Sequence, residues 1–266
     1  HNFNLMSEAI NRNIDDYKQI VGNLTHEIKT PLTSIIGYAE LLKNHECDRE
    51  LQEQALDYIL EEGKRLNSMT RKMIKLSRIQ PGLLNIERQD VKKMLETSLM
   101  AVRMKAGQKQ IHFTSDIPEG IFCYGDREFL ITMMENVLDN AIKASHEGGV
   151  IEVRAAGEGG ALAYIQVTDH GIGIPADILD KIDQPFFKGD KAHSQGGDGF
   201  GMGLAICKSV MLHHHGSLKY ESVVGAYTTV TMRFPAADYL RLESPEQTDQ
   251  VKKDSLWVYE ASNIIR

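Results

Sequence analysis

Cysteine is scarce: three residues in 266, Cys47, Cys123 and Cys207, far apart and without C-x-x-C spacing. That excludes a disulfide framework and a thiolate zinc site, and leaves small buried hydrophobes in a reducing compartment. Positive charge is also short, with 30 Lys and Arg against 37 Asp and Glu and a formal net charge of −7. Such a chain has no broad basic surface to neutralise a phosphate backbone, so nucleic acid is not expected as a partner. No apolar run approaches the roughly 18–20 residues of a membrane-spanning helix, and nothing resembles a signal peptide. The chain as given reads as soluble and cytoplasmic. It opens on His1 rather than Met, so a membrane is expected to enter only through an upstream segment. What is present, 42% hydrophobic and 25% charged residues, is a globular composition, and the length suffices for two domains with separate cores.

From Ile14 to Leu42 apolar residues recur at helical spacing, including Leu24, Ile28, Leu32 and Ile35. After "NHECD" a second run follows through Leu51, Ala55, Ile59, Leu66, Met69, Met73 and Leu76, and "QPG" stops it. Two amphipathic helices with a short polar connection make an antiparallel hairpin. Its apolar stripe is too large to leave uncovered, and pairing two copies into a four-helix bundle predicts a homodimer. Beyond the hairpin the period changes. Short strand-like runs ("LLNIERQ", "IHFTSD", "VIEVRAA", "LAYIQVTD", "SLKYESV", "AYTTVTMRF") alternate with helical stretches near 91–106, 127–146 and 203–215. Tight turns at "GEGG" and "VVGA" require antiparallel neighbours, so the expected fold is an α/β sandwich with a mixed sheet and helices on one face. The divisions are an upstream linker helix at 1–13, the hairpin domain at 14–80, the α/β domain at 81–235 and a tail at 236–266. The tail holds the single tryptophan, Trp257, and has no assigned role.

Within "NLTHEIKTPLTSIIGYAELL" (23–42), His26 points away from the centre of the sector formed by Leu24, Ile28, Leu32 and Ile35. An exposed imidazole titrates near about 6.5, so at neutral pH a ring lone pair is free to attack an electrophile. Glu27, adjacent, is a carboxylate that could hold the proton of the other ring nitrogen. Thr30, about 40° from His26, shares its outer face. Pro31 lacks the N–H that would reach the carbonyl of residue 27 and is expected to kink the helix, at a cost of about 3 kcal/mol. Further on, "ENVLDNAIKAS" places Glu135, Asn136, Asn140 and Lys143 on the polar side of a helix, offering neutral oxygens to a hard cation and an ammonium to phosphate. In isolation these residues would be read as a solvated helix face. A strand runs into Asp169, followed by Gly171 and Gly173, where close backbone approach and a carboxylate acceptor suit an exocyclic amine. In "PFFKGDKAHSQGGDGFGMGLAI", Gly199, Gly201 and Gly203 belong to a glycine-rich loop before a helix, an anion cradle without the Lys-Ser/Thr ending of a P-loop. His213, His214 and His215 sit at a helix end, where capping and the helix dipole account for them better than a metal.

The string His26-Glu27-x-x-Thr30-Pro31 resembles the phosphoacceptor box of sensor histidine kinases of two-component systems. In chain order, the later segments look like the N, G1, F and G2 boxes of that family's Bergerat-type ATP domain. The resemblance implies an ATP- and Mg2+-dependent autokinase that phosphorylates His26 and passes the phosphoryl group to an aspartate on a response regulator receiver domain. By the same pattern Asn140 is the principal magnesium ligand and Asn136 assists. Asp169 meets adenine, with Gly171 and Gly173 in its box. Phe186 and Phe187 with the glycine loop form a lid, Lys143 and Lys188 contact phosphate, and Glu135 acts as a base or polarising group. Thr30 would position water for dephosphorylating the regulator. His170, where Asn is frequent, and Phe200 and Met202, between the lid glycines, are departures. Attack requires the two domains to approach, so the junction near Arg78–Leu84 is expected to act as a hinge. The rivals are a gyrase-like or chaperone-like ATPase or a serine kinase on the same ATP fold, and a catalytically silent dimeric docking module.

Overall fold

The two long amphipathic repeats form helices α1 (Asn2–Asn44) and α2 (Arg49–Arg78) of a hairpin in the computed structural model, which describes residues 2–80, 82–158, 161–189 and 200–235. Side chains are described from residue 21 onward, apart from that of residue 158; Gly199 and the tail with Trp257 lie outside the described residues. The hairpin and residues 174–209 group as one unit; residues 84–173 and those from 210 onward group as the other. Asp48 caps α2, its carboxylate accepting the Leu51 N–H at 2.8 Å, while Lys75 and Arg78 complement the dipole in the last turn.

The apolar repeat of α1 is wider than one interface. Pro31 is buried, and Leu24, Glu27, Ile35 and Tyr38 are half-buried beside it, whereas Ile28 and Leu32 are 38% and 46% exposed. This corrects the single inward sector expected from spacing: Leu24–Pro31–Tyr38 is one stripe, and Val21–Ile28–Leu32–Ile36 is a second. Tyr38 stacks on Tyr58 of α2 with ring centroids 4.9 Å apart. The helix runs unbroken through Pro31.

In the second unit seven strands make a mixed sheet. β2 (His112–Asp116), β4 (Val150–Glu158), β5 (Ala161–Asp169), β7 (Tyr227–Arg233) and β6 (Ser217–Val223) lie side by side in that order. Only β2 and β4 are parallel among these pairs. β1 (Glu87–Asp90) and β3 (Phe122–Gly125) pair with each other, and β3 meets the start of β5 at Phe122 and Ala161. Helices α3 (Val91–Gln108) and α4 (Arg127–Ala144) begin at Asp90 and Asp126, each of whose carboxylates accepts a first-turn N–H. Their buried faces, Met94, Leu95 and Val102 on α3 and Leu130, Met133, Met134, Val137 and Leu138 on α4, form the core with Ile151, Val153, Ile165 and Val167 of the sheet. On the opposite sheet face, Thr168 and Thr229 hydroxyls meet at 2.9 Å and Gln166 donates to Thr231 at 3.2 Å, so that face is polar. Helix α5 spans Gly203–His213. β3 was not anticipated: "FCYG" is four residues long, between a turn and a helix cap.

Of the three histidines at the end of α5, His213, His214 and His215, only His214 is buried, at 2% exposure. Its Nδ1 lies 2.7 Å from the Val210 carbonyl, and its Nε2 accepts the Asp126 N–H at 3.0 Å. A carbonyl can only accept and an amide can only donate, so the ring is the neutral tautomer with its proton on Nδ1. Burial depresses its pKa, against the opposing pull of the Val210 carbonyl and Asp126. The group therefore stabilises the fold fully above about pH 6.5, and that contribution is lost as falling pH protonates the unfolded chain first. Replacing His214→Phe should cost about 1–3 kcal/mol near neutral pH by orphaning the Asp126 amide. Urea titrations at several pH values should show the deficit shrinking below about 6.5.

Candidate functional site

Asp169 ends β5 on the core-facing side, because the alternation that buries Ile165 and Val167 continues for one more step. Ile151 of β4 and Thr228 of β7 are its neighbours across the sheet. Burial raises its pKa to about 6, despite the opposing Gly171 amide, which donates to Oδ1 at 3.1 Å, and the nearby His170. The second carboxylate oxygen can take an amine donor. A Cβ on Gly171 would lie 2.1 Å from the Ala144 carbonyl oxygen, and one on Gly173, at φ +68°, would lie 2.2 Å from that of Val223. Only glycine lets this turn sit against the end of α4 and the end of β6. The Ile172 N–H also donates to Ala144 O at 3.1 Å, joining the turn to the helix that carries the asparagines. His170, the departure in this box, meets Glu152 at 3.1 Å.

On α4, Glu135, Asn136, Asp139 and Asn140 are half-buried and Lys143 is exposed. The Asn136 amide nitrogen donates to the Thr132 carbonyl at 2.8 Å, which commits its donor end and leaves Oδ1 as the ligating end. Lys143 is engaged by Asp139 at 2.6 Å, and Asp139 also accepts from Lys105 at 2.5 Å. Burial pushes the Asp139 carboxyl up, and the two ammonium groups outweigh it, so the net shift is downward. Lys143 is thus not the unattached phosphate cation the sequence suggested. Lys109 closes the helix end, donating to the carbonyls of Ile142, Lys143 and Ser145 at 3.0, 2.8 and 2.6 Å. Asp139, Lys105 and Lys109 were missed by sequence reasoning; only a Lys or Arg reaching a helix C-terminus could have hinted at Lys109.

The remaining candidates lie in the hairpin unit. His26 is exposed, as the helical spacing required. The Thr30 hydroxyl donates back to the His26 carbonyl at 3.3 Å. Glu27 accepts from Lys188 Nζ at 2.7 Å, with the two side chains 20% and 34% exposed. Phe186 is buried with φ +65°, its N–H donating to the Gly201 carbonyl at 2.9 Å, and Phe187 is half-buried. Gly201, at φ +64°, leaves no room for a Cβ, which would lie 2.3 Å from the Phe187 carbonyl oxygen. Phe200 is 1% exposed, with the Arg65 guanidinium 5.5 Å and the Lys72 ammonium 5.9 Å from its ring centre. A position that looked merely variable is therefore packed against cations of α2. Gly203 opens α5. The Asn140, Asp169 and glycine-turn group and the His26, Glu27, Lys188 and Phe186 group thus occupy separate units.

A family model described as "Histidine kinase-, DNA gyrase B-, and HSP90-like ATPase" matches residues 125–238, and one described as "His Kinase A (phospho-acceptor) domain" matches residues 16–82. The chain is 33% identical over 234 residues to the sensor-like histidine kinase SenX3 of Mycobacterium bovis, with 86% of this chain and 57% of that protein covered. To the sensor histidine kinase WalK of Bacillus subtilis it is 28% identical over 222 residues, covering 82% of this chain and 36% of that protein. It thus spans little more than half of SenX3. Among solved structures, the histidine kinase ThkA in complex with the response regulator TrrA matches at TM-score 0.67 and 21% identity, covering 85% of this chain and 64% of that one. The Acinetobacter baumannii histidine kinase AdeS matches at TM-score 0.60 and 22% identity, covering 80% and 98%. These two likenesses bear on the fold alone.

An amine donates more strongly to an ionised carboxylate than to a neutral carboxyl, so a nucleotide amine held by Asp169 should draw the proton off. Affinity for ATP should be level above about pH 7 and fall toward tenfold per unit below about pH 6. Asp169→Asn should weaken binding about 10- to 100-fold and flatten that profile, as isothermal titration across pH would read out.

Proposed function

Because the chain belongs to the sensor histidine kinases of two-component systems, we propose that it is the ATP-dependent autokinase core of a longer sensor protein. The observation that carries this is His26, an exposed imidazole on a regular helix beside a half-buried carboxylate, in a chain whose other unit holds Asp169 and two half-buried asparagines. Residues 14–80 would serve as the dimerisation and phosphoacceptor domain and 81–235 as the nucleotide domain. Asp169 and its glycine turn would bind adenine. Asn140 and Asn136 would hold Mg2+, whose hard preference suits carboxamide oxygens and whose charge would offset that of the phosphates.

The neutral His26 ring attacks the γ-phosphorus with a nitrogen lone pair; the bond to the β-phosphate oxygen breaks and ADP leaves with that electron pair. The proton on the other ring nitrogen passes to a carboxylate, and Glu27 is the candidate by position. Glu135, half-buried on α4, would polarise the attacking group. The phosphohistidine would then donate to an aspartate on a response regulator receiver domain, the partner class that membership of this family implies. Thr30, on the same helix face, would orient water in the reverse, phosphatase reaction. A serine kinase or a gyrase-like ATPase would have no use for the hairpin and its H-E-x-x-T-P box.

The hairpin supports a homodimer. Val21, Ile28, Leu32 and Ile36 of α1 and Leu56 and Leu60 of α2 remain exposed in one copy, and a four-helix bundle would bury such stripes. Among the described residues no helix is long and apolar enough to cross a membrane, so placement in the cytoplasm is part of this proposal. Replacing His26→Gln should abolish acid-labile, base-stable labelling from γ-labelled ATP while leaving ATP affinity within about twofold; persistent labelling would refute the assignment. Ile28→Glu with Leu32→Glu should convert dimer to monomer by light scattering, because each buried charge opposes the pairing by several kcal/mol.

A further inference from the structure

Lys188 is claimed by two anions that cannot both have it. By the family resemblance it contacts nucleotide phosphate, and it is already bonded to Glu27, the residue next to His26, at 2.7 Å. Glu27 is half-buried, at 20% side-chain exposure, while Lys188 reaches it from the exposed side, at 34%, so the carboxylate is partly shielded and the pair is a charge-assisted hydrogen bond at the edge of solvent. Lys188 follows Phe186 and Phe187; the Phe186 amide is tied to Gly201, and the neighbouring Phe200 ring packs against Arg65 and Lys72. The segment bearing the ammonium is therefore held against the hairpin at two places, by an ion pair on α1 and by an aromatic ring on α2.

We propose that Lys188 is a positioning residue that alternates between Glu27 and the terminal phosphates of the nucleotide, so that loading the nucleotide frees the carboxylate for His26. This rests on the autokinase reading. Without nucleotide, the ammonium neutralises Glu27 and occupies the acceptor that the imidazole N–H would need. A triphosphate carries more charge than a carboxylate and draws the ammonium away. Glu27 then loses its partner and can accept the proton that leaves one ring nitrogen as the other bonds to phosphorus. The ADP that departs carries the electron pair of the broken P–O bond, and the protonated Glu27 returns its proton to solvent. Activation of the nucleophile is thereby tied to the presence of a phosphoryl donor.

Competition for one ammonium has a signature that a purely structural bridge lacks: removing the competitor must tighten nucleotide binding. Binding of the non-hydrolysable β,γ-imido analogue of ATP with Mg2+ should be measured for the whole chain. Glu27→Gln should bind about threefold to fivefold more tightly, the size of a half-sheltered ion pair, while labelling His26 more slowly. Lys188→Met should bind more weakly, and adding Glu27→Gln to it should change affinity no further. Unfolding midpoints of all three variants check that each is folded. An unchanged or weaker affinity in Glu27→Gln, or equal tightening in the Lys188→Met background, overturns the exchange even where wild-type His26 is labelled normally. Failure of the wild-type chain to acquire acid-labile phosphate would instead sink the autokinase reading, and the exchange with it.

Discussion

A carboxylate on the wrong side of a β-sheet governs the nucleotide half of this protein. Strand β5 buries every second residue, and Asp169 takes the last core-facing place where a hydrophobe would be the ordinary choice. A one-residue slip of β5 against β4 and β7 would bring Asp169 to the polar face and force Thr168 and Gln166 into the core. The register is therefore fixed by the same apolar residues, Ile165 and Val167, that keep the carboxylate out of water. Burial makes its charge expensive, and the Gly171 amide with the nearby His170 only partly offsets that cost. A ligand donor that meets this carboxylate offsets part of that cost, which serves recognition rather than stability.

Residue placement was legible in the sequence wherever it is local along the chain. The H-E-x-x-T-P box, the strand running into Asp169 and the asparagine spacing on α4 all depend on neighbours within about two helical turns, the range over which period and turn residues inform. The sheet's mixed character also followed from turn lengths. Pairings between distant segments did not. Glu27 with Lys188, Asp139 with Lys105, Lys109 with the end of α4, and His214 with Asp126 join residues 34 to 161 positions apart. Nothing in the local pattern of a lysine or histidine says which carbonyl or carboxylate will meet it. Phe200 shows the same limit: among glycines it reads as a spacer, and only the fold reveals the guanidinium beside it.

The lysines of the candidate site share one property: each is engaged before any phosphate arrives. Lys143 rests on Asp139, Lys188 on Glu27, and Lys109 on three backbone carbonyls. Lys109 is a cap and has nothing to exchange, since three carbonyls satisfy all three of its donors. The other two sit on single carboxylates and retain donors. An ammonium held this way is oriented at the cost of part of its attraction for an incoming anion. Affinity for the triphosphate is lowered, while the entropy of ordering a long side chain has already been met. Such an arrangement favours a protein that must release its spent nucleotide over one that must retain it.

On the helical hairpin, α1 carries apolar residues on two faces and needs two different partners. Leu24, Pro31 and Tyr38 find theirs within the same chain, and Tyr38 stacks flat on Tyr58. Val21, Ile28, Leu32 and Ile36 do not. A period of 3.6 tells that a residue lies on a face but not which neighbour covers it, so the sequence merged two stripes into one sector. Separating them places His26, exposed, one residue away from Glu27, which turns toward the intramolecular side, and two away from Ile28 on the outward stripe. His26 thus lies between a surface already packed and a surface still open, and any rotation of α1 that repacks the open stripe must also turn the imidazole. That geometric tie, rather than any property of the ring itself, couples the packing of α1 to the orientation of the imidazole.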